Sequence, residues 1–216
     1  MTDDELRRDV AAELLWDPTV DAGQIAVSAD DGIVTLLGTV GSLRQKREAA
    51  RAARRVHGVT GVHDELRVRI LSSDRRGDDD LRADVRQALM LDSVVPPGVG
   101  AEVEDGLVTL TGTASWQHQR DEADFVAANV PGVRGIRDDI TLVPARNASD
   151  IAKRIAAAFR RNALLDADDL SVSTTCFGMV TVSGVVHSWA EHDGAVAAAW
   201  AAPGVTEVDD RILVEP

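Results

Sequence analysis

The chain has 216 residues, a length that suits either one large domain or several small ones. Its 44% hydrophobic and 27% charged residues are typical of a globular protein and argue against disorder. The 23 Lys and Arg residues are outnumbered by 36 Asp and Glu residues, and the net charge of −13 argues against a nucleic-acid partner.

The amino terminus, MTDDELRRDVAAELL, is acidic where a secretory signal would be basic. No apolar run approaches the roughly 20 residues of a membrane span. The sequence therefore predicts a cytoplasmic protein whose contact with a membrane, if it has one, is peripheral and at the inner face. Cys176 is the single cysteine, so an intramolecular disulfide cannot form.

One short phrase occurs three times in the chain: GIVTLLGTV from Gly32, GLVTLTGTA from Gly106 and GMVTVSGVV from Gly178. The copies are 74 and 72 residues apart, which exceeds the usual solenoid period of about 20–50 residues. The repeats therefore predict three small domains in tandem. Their expected bounds are 1–72, 76–144 and 147–216.

Each repeat begins with a predicted amphipathic helix whose apolar residues recur four apart and so share one face. These residues are Leu6, Val10 and Leu14; Leu81, Val85 and Leu89; and Ile151, Ile155 and Phe159. Thr2 and Glu5 have the spacing of a capping box at the start of the first helix.

A hairpin follows the helix, since an extended segment leads to a glycine and then to a strand rich in Val and Thr. Asp31-Gly32 and Asp105-Gly106 suit a tight turn with positive φ, whereas Phe177-Gly178 matches it less well. A second glycine recurs inside the return strand, at Gly38, Gly112 and Gly184. Glycine at that position indicates a bulge or a close backbone contact.

A second helix is predicted from Ser42, Ser115 or Ser188, and it ends near a third set of glycines, Gly58, Gly132 and Gly204. A last strand completes each repeat. The predicted fold class is α+β, with three small α-β-β-α-β modules. Each module should form a three-stranded mixed sheet with both helices on one face.

The pattern G[ILM]VT[LV]xG, then a helix, then [HP]GV and an acidic final strand, resembles the BON domain family in all three repeats. Trp116 lies one place early relative to Trp189, and the third repeat lacks the acidic residue before Gly178. The resemblance implies a non-catalytic module without a cofactor, in a family found in osmotic-shock proteins and regarded as binding phospholipid. One relative is similar to a potassium sensor, which adds a monovalent cation as an alternative ligand.

A basic stripe on the second helix of the first repeat is the candidate phosphate-binding site. Its members are Arg44, Lys46, Arg47, Arg51, Arg54 and Arg55. The alternative is that the stripe is a solvated face or pairs with acidic surface on the neighbouring repeats, because the first repeat is the least acidic of the three.

Trp116 and Trp189, in the first turn of the second helices, are candidate interface residues, buried between domains or entering a lipid layer or a partner pocket. The serines before these helices are expected to cap them rather than to bind an anion. The histidines fall at non-equivalent positions without zinc-ligand spacing, so no metal site and no catalytic group are predicted.

The sequence thus predicts a stress-associated binding protein, not an enzyme, that attaches peripherally to phospholipid. The alternative function is a cytosolic protein-interaction scaffold or a potassium-sensing module.

Overall fold

The structure is a computed structural model that describes residues 2–70, 76–143, 150–162, 165, 169–174 and 178–215. Cys176 and Phe177 of the third hairpin lie outside these residues. By backbone contacts the chain divides into two units. The first comprises Met1–Ser93, Gly100–Leu110 and Asp124–Asp139, and the second comprises Val94–Val99, Thr111–Ala123 and Ile140–Pro216.

The order helix, strand, strand, helix, strand occurs in each repeat. The first repeat contains α1 (Asp3–Trp16), β1 (Ile25–Asp30), β2 (Ile33–Val40), α2 (Leu43–Arg54) and β3 (Gly61–Val68). The second contains α3 (Asp78–Leu91), β4 (Gly100–Glu104), β5 (Leu107–Ala114), α4 (Gln117–Ala128) and β6 (Gly135–Leu142). The third contains α5 (Ile151–Phe159), β7 (Leu170–Thr174), β8 (Met179–Val186), α6 (Trp189–Trp200) and β9 (Glu207–Val214).

Each repeat builds its own three-stranded sheet, with strand orders β1-β2-β3, β4-β5-β6 and β7-β8-β9. In the first sheet β2 pairs antiparallel with β1 and parallel with β3, and β8 in the third sheet pairs in the same two ways. The mixed α+β fold predicted from the repeats is therefore confirmed. The parallel pair is reached through the helix that connects its strands, as a β-α-β crossover requires.

A single apolar cluster joins sheet and helices in the first repeat. The cluster contains Leu6, Val10 and Leu14 of α1, Ala49, Ala52 and Ala53 of α2, and Val34, Leu36 and Leu66 of the sheet. The third repeat has the corresponding cluster, which includes Ile155, Phe159, Val180 and Ala195. Both helices thus cover one face of the sheet, and Ile33 and Leu37 on the opposite face remain 40% and 43% exposed.

The first helices start where the sequence predicts, and the residues predicted to be buried are buried. Thr2 and Glu5 form the complete capping box, in which the Thr2 N–H donates to Glu5 at 2.8 Å and the Glu5 N–H donates to Thr2 at 3.3 Å. The apolar residues four apart are buried in all three first helices. Among the described helices, none is both long enough and apolar enough to cross a bilayer.

The first two hairpin turns adopt the predicted left-handed backbone. The φ angles are 48° at Asp31 and 81° at Gly32, and 49° at Asp105 and 75° at Gly106. Positive φ at both central residues matches the right-handed twist of the flanking strands, which explains the Asp-Gly pairs.

The first residue of the first helix fastens each of these turns. The Asp31 N–H donates to the Asp3 carboxylate at 3.1 Å. In the second repeat the N–H groups of Asp105 and Gly106 donate to Asp78 at 2.8 and 3.0 Å. The acidic helix starts therefore hold the hairpin against the helix, a role that goes beyond complementing the helix dipole.

The recurring strand glycine marks a close approach of two backbones. Gly38 has φ 138°, and a Cβ placed there would lie 2.0 Å from the carbonyl oxygen of Gln24, the residue before β1. The equivalent distances are 2.3 Å from Gly112 to Gly98 and 2.0 Å from Gly184 to Asp169. No real Cβ occupies such a position, so the predicted close contact is confirmed and only glycine fits.

Two edge strands border each sheet, because the hairpin return strand lies in the middle. In the first repeat the outward-facing residues of β1 include Asp30, and those of β3 are His63, Glu65 and Arg67, all exposed. The free edges thus carry polar and charged side chains.

We predict that Gly38→Ala destabilises the first repeat by about 2–3 kcal/mol, because the new methyl group collides with the Gln24 carbonyl and the residue must keep positive φ. Gly41→Ala is the matched control, since the nearest atom to its Cβ is 3.5 Å away. We expect that control to stay within about 0.5 kcal/mol of wild type. Urea unfolding followed by circular dichroism measures both, and equal stabilities of the two variants would contradict the steric account.

Candidate functional site

The basic stripe lies on α2, whose start is fixed by Ser42. The Ser42 side chain accepts a hydrogen bond from the Gln45 N–H at 3.2 Å, as expected for a cap, and Ser188 caps α6 in the same way. Leu43 and the three buried alanines of α2 turn one face to the core. The long basic side chains therefore occupy the remaining surface of the helix.

Two residues of the stripe contact the second repeat. The Arg47 guanidinium binds the Asp124 carboxylate through two hydrogen bonds, one of them 3.0 Å from Nη2 to Oδ1. Their side chains are 34% and 27% exposed, so solvent screens the pair only in part. Arg44 Nη1 lies 3.5 Å from Asn129 Oδ1. Arg47 therefore fits the alternative interpretation of the stripe, in which a basic side chain pairs with an acidic group of a neighbouring repeat.

Lys46 connects α2 to the last strand of its own repeat. Its ammonium group donates to the Leu66 carbonyl at 2.6 Å and lies 3.6 Å from Asp64. In the third repeat His192 occupies the same position of α6, and its Nε2 lies 2.8 Å from Asp210, the counterpart of Asp64. Equivalent aspartates of the final strands, Asp64 in β3 and Asp210 in β9, therefore engage a basic group of the second helix in these two repeats.

Arg55 fastens the end of α2 to the end of α1. It donates to Glu13 at 3.0 Å and to Asp17 at 2.7 Å. Thr19 donates to the same carboxylate through its hydroxyl at 2.6 Å and its N–H at 3.0 Å. These hydrogen bonds lower the pKa of Asp17 from 3.8 to about 2. The bond from the Thr19 hydroxyl has the largest effect, followed by the bond from Arg55. The pKa of Arg55 is raised in turn.

The other two members of the stripe differ in exposure. Arg51 is 61% exposed and binds Glu48, one turn earlier, at 2.8 Å. Such an exposed pair contributes little and is readily exchanged. Arg54 is half-buried and engaged with other groups. The residues of the stripe most accessible to a ligand are therefore Arg44, whose partner is a neutral amide, and Arg51.

The two candidate interface tryptophans are half-buried at the start of the second helices. The Trp189 ring packs edge-on against His192 at 4.8 Å, and the Trp116 ring lies 6.2 Å from His118. Each indole thus has a histidine of the following helix turn beside it, and the contact is closer for Trp189.

The polar clusters of the described chain do not form a metal centre. No group of three or more His, Cys, Asp or Glu side chains in the described ranges is placed to hold a metal ion. His192 lies between Asp193 at 3.0 Å and Asp210 at 2.8 Å, and all three are ordinary surface or half-buried groups of one module.

Two surface features at the ends of the first helices were not predicted from the sequence. The last two residues of α1, Leu15 and Trp16, are 76% and 83% exposed, and those of α3, Met90 and Leu91, are 78% and 72% exposed. The helical period contains a signal for this exposure. The buried residues spaced four apart end at Leu14 and Leu89, and the two residues that follow each of them do not continue that spacing. Arg160 and Arg161 occupy the equivalent positions of the third repeat.

The repeated sheets and helices define a chain of small α+β modules in tandem. The particular family follows from direct comparison, since residues 2–70, 77–144 and 147–216 each match the BON domain. The chain therefore belongs to the BON domain family, as the sequence predicted.

The chain is similar to one curated protein, the osmotically-inducible protein Y of Escherichia coli strain K12. The two are 34% identical over 145 residues, which cover 65% of this chain and 72% of that protein. Among solved structures, CdsD of the Chlamydia trachomatis type III secretion system aligns over 98% of this chain and 93% of its own, with 16% identity and a TM-score of 0.27. The PrgH periplasmic domain aligns with 12% identity and a TM-score of 0.24. Scores this low add nothing to the fold assignment.

We predict that the Arg47–Asp124 pair contributes about 1 kcal/mol of coupling, because it is bidentate and partly shielded from water. A double-mutant cycle with Arg47→Gln and Asp124→Asn, read by thermal unfolding, measures the coupling. The matched control is the cycle with Arg51→Gln and Glu48→Gln, for which we expect about 0.3 kcal/mol. A coupling no larger than that control would contradict the structural role of Arg47.

We predict that Asp17→Asn lowers stability at pH 7 by about 1–2 kcal/mol, because the amide loses the charge that Arg55 and Thr19 stabilise. The pKa of Asp17 is 3.8 when unfolded and about 2 when folded. The difference from wild type is therefore fully present above about pH 4 and disappears as the pH falls towards about 2. Thermal midpoints across pH 2–7 test this, with the exposed Asp4→Asn as control, and a gap independent of pH would refute it.

Proposed function

We propose that the protein is a non-catalytic, osmotic-stress-associated binding protein that attaches peripherally to anionic phospholipid at the inner face of the membrane. Membership of the BON family and the similarity to a protein named for osmotic induction support the association with stress. The cytoplasmic location is the prediction made from the acidic amino terminus.

The observation that carries the proposal is the exposed apolar pair at the end of α1. Leu15 and Trp16 are largely free of contact with the module's own core, although a globular protein normally covers such groups. Tryptophan is the side chain most suited to a membrane interface, since its ring is large and apolar and its N–H remains a donor. Met90 and Leu91 repeat the feature on α3.

The charges beside Trp16 favour approach to a membrane. Arg55 neutralises Glu13 and Asp17, the acidic groups that flank the pair in sequence. The same contacts bring the end of α2, with the exposed Arg51, next to the end of α1. A basic residue near an anionic surface contributes about 1 kcal/mol. The apolar pair and Arg51 thus lie at neighbouring helix ends. Arg44, two turns before Arg51 on the same face of α2, extends this surface for anionic headgroups.

We predict that the protein floats with anionic vesicles at low salt and less with zwitterionic ones. Leu15→Ser with Trp16→Ser should weaken binding by about tenfold or more, because the apolar contribution is lost. Arg44→Gln with Arg51→Gln should weaken binding to anionic vesicles to a similar extent and flatten its salt dependence. Vesicle flotation with phosphatidylcholine, alone or mixed with phosphatidylglycerol, measures both.

Leu213→Ser is the matched control, since Leu213 is 60% exposed on β9 of the third repeat and outside this surface. Failure of the wild type to float with either vesicle would overturn the proposal, as would an equal loss in Leu213→Ser. Replacing sodium by potassium in the same assay tests the monovalent-cation prediction, which a change in binding or stability would support.

A further inference from the structure

The positive charge of the third repeat is concentrated on its first helix and the turn after it. Lys153, Arg154, Arg160 and Arg161 lie there, all exposed. Lys153 is 3.5 Å from Asp150, both of them in solvent. Arg154, Arg160 and Arg161 form no ion pair with another described residue, in contrast to Arg47, Arg51 and Arg55 of the first repeat. The uncompensated cations of the described third repeat are therefore on one side of α5.

A groove between α5 and α6 lies beneath two of these arginines. Its volume is about 310 Å³, Arg154 and Arg161 form one rim, and alanines such as Ala158 and Ala201 form its floor. Alanine side chains do not fill the space between the helices, so the backbone of a partner can come close to the floor. The recess combines an apolar base with a charged rim.

The spacing of the rim arginines selects among anionic ligands. Arg154 lies on α5 and Arg161 in the turn that continues from its end, seven residues later, a separation close to two helical turns or about 10 Å. Two carboxylates two turns apart on a facing helix match this separation. A guanidinium binds a carboxylate through two parallel hydrogen bonds, so each arginine can accept one acidic side chain.

We propose that this groove binds an acidic helical segment of a partner protein. Its positive rim, whose arginines form no ion pair with any described residue, fits such a ligand. A helix of small and acidic residues can fill the recess while its carboxylates meet the rim. A bilayer is a poorer occupant, because a layer of headgroups reaches the exposed rim but leaves the apolar floor uncovered. The groove is built from other residues than those proposed to contact phospholipid.

Fluorescence anisotropy with the full chain tests the inference. The probe is a fluorescein-labelled, alanine-rich helical peptide with two glutamates seven residues apart, and the control probe has glutamine at both positions. We expect saturable binding of the glutamate probe, at least tenfold weaker binding of the glutamine probe, and a similar loss for Arg154→Gln with Arg161→Gln. Ala201→Trp, which fills the groove from an exposed position, should weaken binding of the glutamate probe to the same extent.

Arg211→Gln is the matched control, because Arg211 is the fifth basic residue of the third repeat and pairs with Asp209 on β9. It should bind the probe like the wild type. Equal affinity for the two probes, a loss in Arg211→Gln as large as in the rim variant, or full binding by Ala201→Trp would overturn the proposal. So would a rim variant that loses vesicle binding but not peptide binding, since the cations would then serve lipid.

Discussion

The module depends on one backbone contact, the approach of the return strand to the residue that precedes the hairpin. At Gly38 a backbone carbonyl oxygen lies where the Cβ of any other residue would be, and the same is true at Gly112 and Gly184. This contact fixes where β1 begins relative to β2, and so aligns the antiparallel pair with the buried faces of both helices. A core of twelve buried apolar side chains in the first repeat, which contains no cysteine for a disulfide, is organised around that alignment.

The elements of the fold could be predicted because each depends on local signals repeated three times. Residues four apart identified the buried helix faces, and glycines identified the turns, the close contact and the helix ends. The partners of charged side chains could not be predicted in this way. Nothing near Arg47 in the sequence indicates that it pairs with Asp124, 77 residues away. Lys46 likewise cannot be distinguished from the other basic residues of the helix by sequence alone, because its partner Asp64 lies on a separate strand.

The candidate site was therefore predicted less well than the fold. Composition indicated a basic stripe, but the energetics of a charge depend on what faces it in three dimensions. Three of the six residues of the stripe connect elements of the fold: Arg55 binds to the end of α1, Lys46 to β3 and Arg47 to the second repeat. In the more acidic third repeat the few cations remain on the surface. Which basic side chains are accessible to a ligand therefore depends on their local ion pairs more than on the net charge of the repeat.

The polar edge strands have a consequence for how the chain reaches its native state. The three modules share one strand order and short sequence motifs and are covalently joined. During folding, each central strand can therefore meet the edge strands of the other two modules at high effective concentration. Strands from different copies that paired with one another would produce swapped, misassembled chains, a known hazard of repeat proteins. Charged groups such as Glu65 and Arg67 on an open edge make such pairing unfavourable, because they must be desolvated against a mismatched partner. These charged edge residues therefore help the first sheet to close on its own strands.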